Sequence, residues 1–372
     1  MDKNKDCLDC RRNKVGGQAV IEGVMMKNGE EVCLAMRKED GTVEIARSKF
    51  VSVRKKHKWL NIPILRGIIG FVESMILSFK TLNKSTEILG IEEDTKNKDG
   101  ESSGGGALFI TILGLILGVG LAVVLFMWLP GFITKYIERL TGTLNEYLKA
   151  AIEGGVKIVI FILYLLSTTL MKDMRRVFQY HGAEHKSIAC YESGMELTPE
   201  NARKCTRFHP RCGTSFLFVM LLIGIVAGMF IPIWDKTLLR AAIKLAIFPV
   251  IVGVGYEFIM FAGKHDNFIT RLLSAPGLWM QRISTKEPDD YQLAIAICAI
   301  KSSMPEEFPD FDPAEYFMDI EQNKDHIAFT GMKEKEIEER IAAIKAEAQT
   351  AEKKADETTD DEIKSDENTG NN

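Results

Sequence analysis

The sequence predicts a mainly α-helical membrane protein with about four transmembrane helices, a small N-terminal β element, an interfacial amphipathic helix and a disordered acidic C-terminal tail. Three observations support this fold class. The apolar residues of the 372-residue chain are concentrated in a few long blocks. Basic residues cluster beside these blocks, and acidic residues accumulate at the C-terminus. Such an uneven distribution is typical of a protein that crosses a bilayer.

Four apolar blocks have the length and composition of membrane spans. A helix needs about 20 mostly apolar residues to cross the hydrocarbon core with its backbone hydrogen bonds satisfied internally. We place the spans near residues 107–130, 154–171, 214–234 and 241–262. The fourth is the least typical, because it contains Lys244, Pro249 and Glu257. A buried core helix is the alternative, and it suits the first three blocks poorly.

The distribution of basic residues predicts the orientation. The loop 172–213, between the second and third blocks, carries eight Lys and Arg, whereas the connections 131–153 and 235–240 carry few. Lys and Arg close to the ends of spans are retained in the cytoplasm. We therefore expect a multi-pass membrane protein whose N- and C-termini are both cytoplasmic. The polar first 60 residues contain no secretory signal.

The region before the first span divides into three parts. Residues 1–60 are cytoplasmic and contain a β-hairpin, predicted by alternating apolar residues on either side of Asp40-Gly41. Residues 61–90 form an amphipathic interfacial helix, because the apolar stretch 62–85 includes charged residues that make a full crossing costly. A re-entrant or spanning helix is the alternative. Residues 91–106 have the composition of a flexible linker.

Beyond the membrane domain at 107–262, two further regions are predicted. Residues 263–303 form cytoplasmic helices broken at Pro276-Gly277 and at Pro288, the last with an apolar stripe at Leu293, Ile297 and Ile300. Residues 304–372 form an acidic helical and disordered tail, since residues 302–372 hold 21 acidic against 8 basic residues. In the middle loop, Thr198-Pro199 predicts the start of a short helix that runs to about Cys205.

Composition also limits the partners. Outside the tail the chain is basic, which favours contact with anionic lipid and argues against nucleic acid, because aromatic residues are not interleaved with the basic ones. The expected partners are the lipid bilayer and a membrane lipid or a membrane protein; the oligomeric state is not determined. Seven cysteines lie on segments assigned to the cytoplasmic side, so we expect no structural disulfide.

The stretch "YHGAEHKSIACYESG" (180–194) contains His-x-x-Glu-His. On a helix, His181 and His185 project from one face and can reach one ion. In this order two histidines hold zinc and the glutamate activates water. We therefore predict a divalent metal, with zinc favoured, on His181 and His185 and a general base at Glu184.

A catalytic zinc needs a third protein ligand, and Glu257, His209 and Cys212 are the candidates. An ionisable group inside a span, such as Glu257, is functional or paired; the alternative for Glu257 is an ion pair with Arg175 or Arg176. In "FHPRCGTSF" (208–216), His209 and Cys212 could bind metal, Arg211 could bind a phosphate or carboxylate, or the segment could simply begin a helix.

These motifs resemble the YqhQ-like family of bacterial membrane proteins. The resemblance rests on "GGQAVIEGVMM", "YHGAEHKSIACYE", "FHPRCGTSF" and "STKEPDDYQLAIAI", in this order from about Gly16 to Ile300. It implies a bacterial cell membrane location and, through the family's label as a predicted metal-dependent enzyme, metal chemistry. The motif positions carried across are Gln18, Glu22, Gly23, His181, Glu184, His185, Lys186, His209, Arg211 and Cys212. Ala294 stands where the family pattern has an acidic residue, which argues against a required carboxylate there.

Two functions from different classes follow. The first is a metal-dependent hydrolase at the cytoplasmic membrane face, with Arg211 and Lys186 binding an anionic part of the substrate. The second is a non-catalytic membrane scaffold or assembly factor, in which the same His, Arg and Glu residues form a buried polar network. A transporter is a third and weaker alternative, because no inverted repeat is visible.

Overall fold

The computed structural model describes residues 14–38, 41–90, 104–231, 237–264, 268–319 and 327–330. The strands are β1 (Val15–Val20), β2 (Gly23–Asn28), β3 (Glu31–Arg37), β4 (Val43–Lys49) and β5 (Ile327–Thr330). The first helices are α1 (Val53–Lys56), α2 (Leu65–Ile88), α3 (Gly104–Val123), α4 (Leu129–Thr141), α5 (Glu146–Thr168) and α6 (Lys172–Glu192). The others are α7 (Pro199–Lys204), α8 (Gly213–Met229), α9 (Thr237–Lys264), α10 (Phe268–Ser284), α11 (Asp290–Ser302) and α12 (Pro313–Asp319). The predicted linker up to residue 103 and the tail beyond residue 330 lie outside the described residues.

The N-terminal β element is a meander of four antiparallel strands in the order β1-β2-β3-β4, with β5 added parallel to β4. The predicted hairpin is confirmed, because β3 and β4 pair antiparallel from Glu31–Lys49 to Arg37–Val43. Its turn is closed by Gly41, whose φ of 88° is accessible to glycine without strain. Sequence alternation was therefore sufficient to predict these strands.

The two faces of the sheet pack against different helices. One face packs against α6 and α11 in the main core, which includes Val24, Met26 and Cys33 from the sheet and Tyr180 from α6. The opposite face, with Met25 and Leu34, packs against residues of α2 such as Leu77. The sheet thus lies between the α6/α11 layer and the helix that follows the β element.

Helix α11 is the centre of the main core. All eight residues from Leu293 to Ile300 are fully buried, so the predicted apolar stripe is only part of a helix that is enclosed on every side. Its N-terminus carries a capping box between Asp289 and Gln292, which satisfies backbone amides that would otherwise lose water. Ala294 and Ala296 lie in one core cluster with residues of α6 and of the sheet.

Among the described residues, three helical segments are long and apolar enough to cross a membrane. They are Ile116–Thr141, in which the π-helical turn Val124–Trp128 joins α3 to α4, then Glu146–Thr168 and Leu239–Ala262. The remaining predicted block forms α8, which is apolar but has only 17 residues. Large apolar side chains such as Leu117, Leu163 and Leu245 are more than half exposed on these helices. The structure therefore supports membrane character, while the count of four spans stays a prediction.

Helix α2 connects the β element to the apolar helices. It packs closely on α9, where Gly67 faces Tyr256 and the backbone of Gly253. Its buried Glu73 accepts hydrogen bonds from the hydroxyl of Ser52 and, at 2.8 Å, from the amide of Val53. Its location at the membrane interface stays a prediction.

The predicted break at Pro276-Gly277 is wrong. Helix α10 continues through Pro276 to Ser284, although proline removes one helical hydrogen bond. Gly277 lies against Ser215 of α8, where a β-carbon would come within 3.0 Å of the serine side chain. Packing on α8 therefore stabilises the helix through the proline, whereas the predicted break at Pro288 does separate α10 from α11.

Candidate metal centre

Helix α6 carries the His-x-x-Glu-His motif and presents two adjacent stripes to different neighbours. Arg176, Tyr180 and Glu184 recur every four residues, as required for one helical face, and face the β1–β2 hairpin. His181 and His185 form the adjacent stripe and face the segments before α8 and after α10. One helix thus brings the N-terminal and central motifs together.

The turn between β1 and β2 is held on α6 by Glu22. Arg176 donates from Nε and Nη2 to both carboxylate oxygens, and the Nη2–Oε2 distance is 2.6 Å. The hydroxyl of Tyr180 donates to the same carboxylate at 3.3 Å. Glu22 has a φ of 56°, a strained conformation for a residue with a side chain. Its role is therefore to dock the hairpin on α6.

Glu184 is enclosed between α6 and β1. A β-carbon on Gly17 would come within 2.8 Å of its Cγ and Oε1, so glycine is needed there for close approach. The backbone amide of Ala19 donates a hydrogen bond to the carboxylate. Burial raises the pKa of Glu184, although the neighbouring His181 and His185 act in the opposite direction. Such a carboxylate accepts a proton more readily than an exposed one.

Gly182, inside the motif, permits a second close approach. A β-carbon at this position would overlap the carbonyl oxygen of Lys286. The amide of Lys286 donates to the carbonyl of Phe178 at 2.8 Å, which holds the connection between α10 and α11 against α6. This contact places the carbonyl of Ser284 beside His181.

Both histidines are oriented by backbone carbonyls. Nδ1 of His181 donates to the carbonyl of Ser284 at 2.8 Å, and Nδ1 of His185 donates to the carbonyl of Arg207 at 2.6 Å. In the neutral form of each ring, which is the form that binds metal, Nε2 is then the nitrogen with the lone pair. Nε2 of His181 lies 3.2 Å from Sγ of Cys212, and the two ring centroids are 4.4 Å apart.

Within the described part of the chain, His181, His185 and Cys212 form a group whose ligand atoms all lie within 4.8 Å of one another. Two imidazole nitrogens and one thiolate are a donor set typical of zinc. The Nδ1–H bonds to carbonyls are the outer interactions that usually fix metal-binding histidines. The group could therefore hold a metal ion, and of the candidate third ligands it is Cys212 that lies beside the two histidines.

The charges in this group favour the thiolate. Burial by itself raises the pKa of Cys212, but the positive charges of His181 and His185 outweigh it and hold this pKa well below its usual range. Burial lowers the pKa of His181, and the adjacent Cys212 thiolate more than reverses that effect. A thiolate is the form of cysteine that binds metal. Cys212 is also the residue that precedes the first turn of α8.

His209 lies beside the group but is held by other partners. Its amide donates to Oε1 of Gln281 at 2.8 Å, and its carbonyl accepts from Nε2 of the same residue at 2.7 Å. Its Nε2 lies 3.5 Å from Oε2 of Glu192. The buried Gln281 also donates to the hydroxyl of Ser215 at 2.8 Å. His209 thus belongs to a hydrogen-bond network around the group of three ligand residues.

The two predicted substrate-binding residues have protein partners. Nζ of Lys186 donates to the carbonyl of Arg203 at 2.8 Å and lies 2.5 Å from Oε1 of Glu287. Arg211 forms an ion pair with Glu192. Both side chains connect α6 to the segment between α6 and α8. Their proposed contact with a substrate stays a prediction.

Two other predicted site residues lie apart from the ligand group. Glu257 pairs with Arg66 of α2, with 2.6 Å between Nε and Oε1, so its partner is neither Arg175 nor Arg176. Gln18 alternates with Gly17 and Ala19 along β1 and therefore points to the opposite face of the sheet. Its buried Oε1 has no hydrogen-bond partner among the described residues.

Sequence reasoning missed the groups that orient the histidines. The carbonyls of Ser284 and Arg207 are backbone atoms, and residue type does not indicate which backbone carbonyls will face a histidine. Gln281 is one of several polar residues on an amphipathic helix, and only its complete burial in the structure distinguishes it from the others. A signal was present in Gly17 and Gly182, since glycines next to a catalytic-type motif can mark close backbone approach.

Comparison with known proteins places this architecture in a family. The family model described as "Protein of unknown function (DUF1385)" matches residues 62–306. The "Uncharacterized protein YqhQ" of Bacillus subtilis (strain 168) is 34% identical over 291 residues, which cover 76% of this chain and 89% of that protein. No solved structure matches. The chain therefore belongs to the DUF1385 family of YqhQ-like proteins, as its motifs indicated.

Proposed function

We propose that this protein is a metal-dependent hydrolase of the bacterial cell membrane, with its metal centre at the cytoplasmic face. The observation that carries the proposal is the convergence of His181, His185 and Cys212, with both imidazoles held by backbone carbonyls. Histidines that serve only as packed core residues have no need to converge on a common cysteine. This arrangement instead fits a divalent metal, with zinc favoured.

The residues take distinct roles in this proposal. His181, His185 and Cys212 would hold the metal, which would act as a Lewis acid that lowers the pKa of water and polarises the bond to be cleaved. Glu184 accepts the proton of the attacking water as general base. Glu184 does not belong to the group of three candidate ligand residues. Its carboxylate would therefore not be occupied by the metal and could accept a proton. The amide of Ala19 orients that carboxylate.

The position of the centre suggests where the substrate comes from. Cys212 directly precedes the apolar helix α8, and α6 follows the apolar helix α5 after three residues. A substrate that lies at the bilayer surface, whether a peptide, a lipid ester or a phosphate ester, could reach this region. The basic residues of 172–213 support a cytoplasmic location.

The first test is metal content. The full chain, purified in mild detergent, is analysed for bound elements as wild type, as His181→Ala/His185→Ala, as Cys212→Ser and as His209→Ala. We expect about one metal per wild-type chain, loss in the double and Cys212 variants, and retention in the matched control His209→Ala, because His209 lies outside the ligand group. A metal-free wild-type protein after zinc supplementation would refute the metal centre.

The alternative is a non-catalytic scaffold or assembly factor, and one observation favours it. Glu184, His185 and Cys212 are all less than 7% exposed, as in a closed structural metal site or a buried polar network. Glu184→Gln separates the two functions. If the protein is a hydrolase, this variant should keep its metal and fail to complement a deletion strain. If the protein is a scaffold, the variant should keep both metal and complementation.

A further inference from the structure

The segment that leads from β4 into α2 is rich in exposed apolar side chains. It comprises residues 51–64, here named the entry segment, and contains α1 and the 3₁₀ turn Lys58–Asn61. Trp59 is 66% exposed. Aliphatic residues of the segment are between 38% and 56% exposed: Val51, Val53, Ile62 and Ile64. Single exposed apolar residues are common, but a group of this size within one short segment usually marks an interaction surface.

The entry segment is also basic. It contains no acidic residue. Two of its Lys and Arg residues pair with carboxylates elsewhere: Arg54 with Glu73 and Lys55 with Glu30. Lys56 and Lys58 are exposed, and neither forms an ion pair with a described residue. Two positive charges that need an external partner therefore lie directly before the exposed ring of Trp59.

Helix α2 continues this surface with an exposed apolar stripe. Large apolar side chains on one of its faces are between 42% and 56% exposed: Val72, Met75, Ile76, Phe79 and Leu82. Their spacing of three or four residues is that of one helical face, and the opposite face is buried against the sheet and α9. Ser52 and Val53 donate hydrogen bonds to Glu73. The entry segment is thereby held beside the start of the stripe.

Contacts with α9 place the end of the entry segment beside a candidate span. A β-carbon on Gly253 would overlap the side chain of Ile64, and Arg66 pairs with Glu257. Gly253 and Glu257 lie nine and five residues before the end of the span Leu239–Ala262. At 1.5 Å per residue these distances are about 14 and about 8 Å. When this span crosses a bilayer, the entry segment reaches the membrane boundary, where Trp and Lys side chains are common.

We propose that the entry segment and the apolar stripe of α2 dock on the anionic cytoplasmic leaflet of the bilayer. Trp59 and the stripe enter the boundary between headgroups and acyl chains, and Lys56 and Lys58 pair with lipid phosphates. One lipid layer offers complementary groups to both the apolar and the basic part of this surface. The proposal shares the membrane location with the proposed function, but it involves neither the metal nor hydrolysis.

The test uses Trp59 as a reporter in the full chain. The other tryptophans are removed by Trp128→Phe, Trp234→Phe and Trp279→Phe, and the protein is reconstituted in phosphatidylcholine vesicles with and without phosphatidylglycerol. Quenching of the Trp59 emission by lipids brominated on their acyl chains reports contact with the bilayer. Quenching by acrylamide reports contact with water. We expect quenching by brominated lipid and protection from acrylamide in the vesicles that contain phosphatidylglycerol.

The role of the two lysines is tested in the same background. Lys56→Gln/Lys58→Gln should lower the ratio of lipid-docked to water-exposed Trp59 about thirtyfold in vesicles with phosphatidylglycerol, equivalent to roughly 2 kcal/mol. The matched control is Lys172→Gln/Lys204→Gln, which removes the same charge from two exposed positions on α6 and α7. This control should dock as the parent does.

A second measurement avoids the three background replacements. Brominated-lipid quenching is compared between the otherwise unchanged chain and Trp59→Phe, and the difference isolates the emission of Trp59. Because Trp59 is 66% exposed, its replacement leaves the packed core intact. The difference emission should be quenched by brominated lipid as in the chain that contains Trp59 alone.

Three outcomes would overturn the proposal. Acrylamide quenching of Trp59 without quenching by brominated lipid would place the segment in water. Equal docking in both kinds of vesicle, or in both lysine variants, would exclude recognition of anionic headgroups. Protection from both quenchers that disappears when the protein is diluted in the vesicles would assign the surface to a second copy of the chain. Bound metal affects none of these measurements, so docking and the metal centre fail independently.

Discussion

The carboxylate of Glu184 lies directly on the backbone of Gly17, with room for a hydrogen but not for a methyl group. Ala19, two residues after Gly17 in β1, donates a hydrogen bond from its backbone amide to the same carboxylate. Strand β1 therefore forms one wall of the candidate metal centre. The N-terminal "GGQAVIEG" motif and the central His-x-x-Glu-His motif, which lie far apart in sequence, act on one side chain.

Replacing Gly17 by alanine should displace Glu184. The new β-carbon would lie 2.8 Å from Glu184 and from Sδ of Met26, and overpacking of this kind costs about 1–3 kcal/mol. We expect a lower melting temperature with metal content retained, because the three ligand residues are not touched. Complementation of a deletion strain should also decrease, because the displaced Glu184 is the proposed general base.

Gly16→Ala is the matched control for this substitution. A β-carbon on Gly16 meets nothing within 4 Å, so thermal unfolding and complementation should remain at wild-type levels. If Gly16→Ala and Gly17→Ala behave alike, contact with Glu184 does not explain the glycine pair.

Gly182→Ala should be far more damaging. Its β-carbon would overlap the carbonyl oxygen of Lys286, and a backbone atom cannot move aside as a side chain can. We expect a loss above about 4 kcal/mol and a low yield of monodisperse protein on size exclusion. Gly155→Ala, at an open helical position, should instead be neutral or slightly stabilising; similar yields from both variants would contradict the proposed close approach.

Gln281→Ala tests the network that holds His209. The change removes partners from the amide and carbonyl of His209 and from the hydroxyl of Ser215. Buried polar groups without partners cost about 1–3 kcal/mol each, and we expect a total on the order of 3 kcal/mol after relaxation. Thermal unfolding in detergent is the measurement.

Gln179→Ala provides the comparison for that variant. Gln179 is half-buried and accepts one long hydrogen bond, at 3.5 Å, from the buried Gln292, so its removal affects a single weakly bonded group and should cost about 1 kcal/mol, less than the loss of three partners in Gln281→Ala. Equal effects of the two substitutions would show that the Gln281 network contributes little.

The low pKa of Glu192 predicts that the folded protein loses stability in acid. Burial alone raises the pKa of Glu192, but hydrogen bonds from His209 and Arg211 bring it down to about 2. Because this pKa is depressed in the folded state, the associated stability is present above the usual carboxyl pKa and is lost as pH falls towards 2. We expect the melting temperature to fall between about pH 5 and pH 2, and to fall less steeply in Glu192→Gln. Parallel curves for the two proteins would contradict this role.

Much of the fold was predictable because it depends on local pattern. The β3–β4 hairpin follows from alternation around a glycine turn, and the cap at Thr198 with helix α7 follows from its own sequence. Hydropathy alone indicated the long apolar helices. The break at Pro276 was wrong because packing of Gly277 on Ser215 outweighs a local propensity.

The candidate site was only partly predictable. The spacing of His181 and His185 was sufficient to place them on one face, and Cys212 was one of several ligand candidates. Glu257, the candidate of most interest from sequence because it is an ionisable residue in an apolar helix, instead pairs with Arg66 of α2. The choice between Cys212 and Glu257 depends on which helices meet, and residue type carries no such information.

The sequence by itself determined the long apolar helices, the small β element and the pair of histidines on one helix, because hydropathy, alternation and helical spacing act over short stretches of chain. Only the tertiary structure decided which candidate ligand lies beside the pair, which carbonyls orient the rings and why Gly17 and Gly182 must lack side chains. These features are contacts between segments distant in sequence, and such contacts depend on the packing of whole elements.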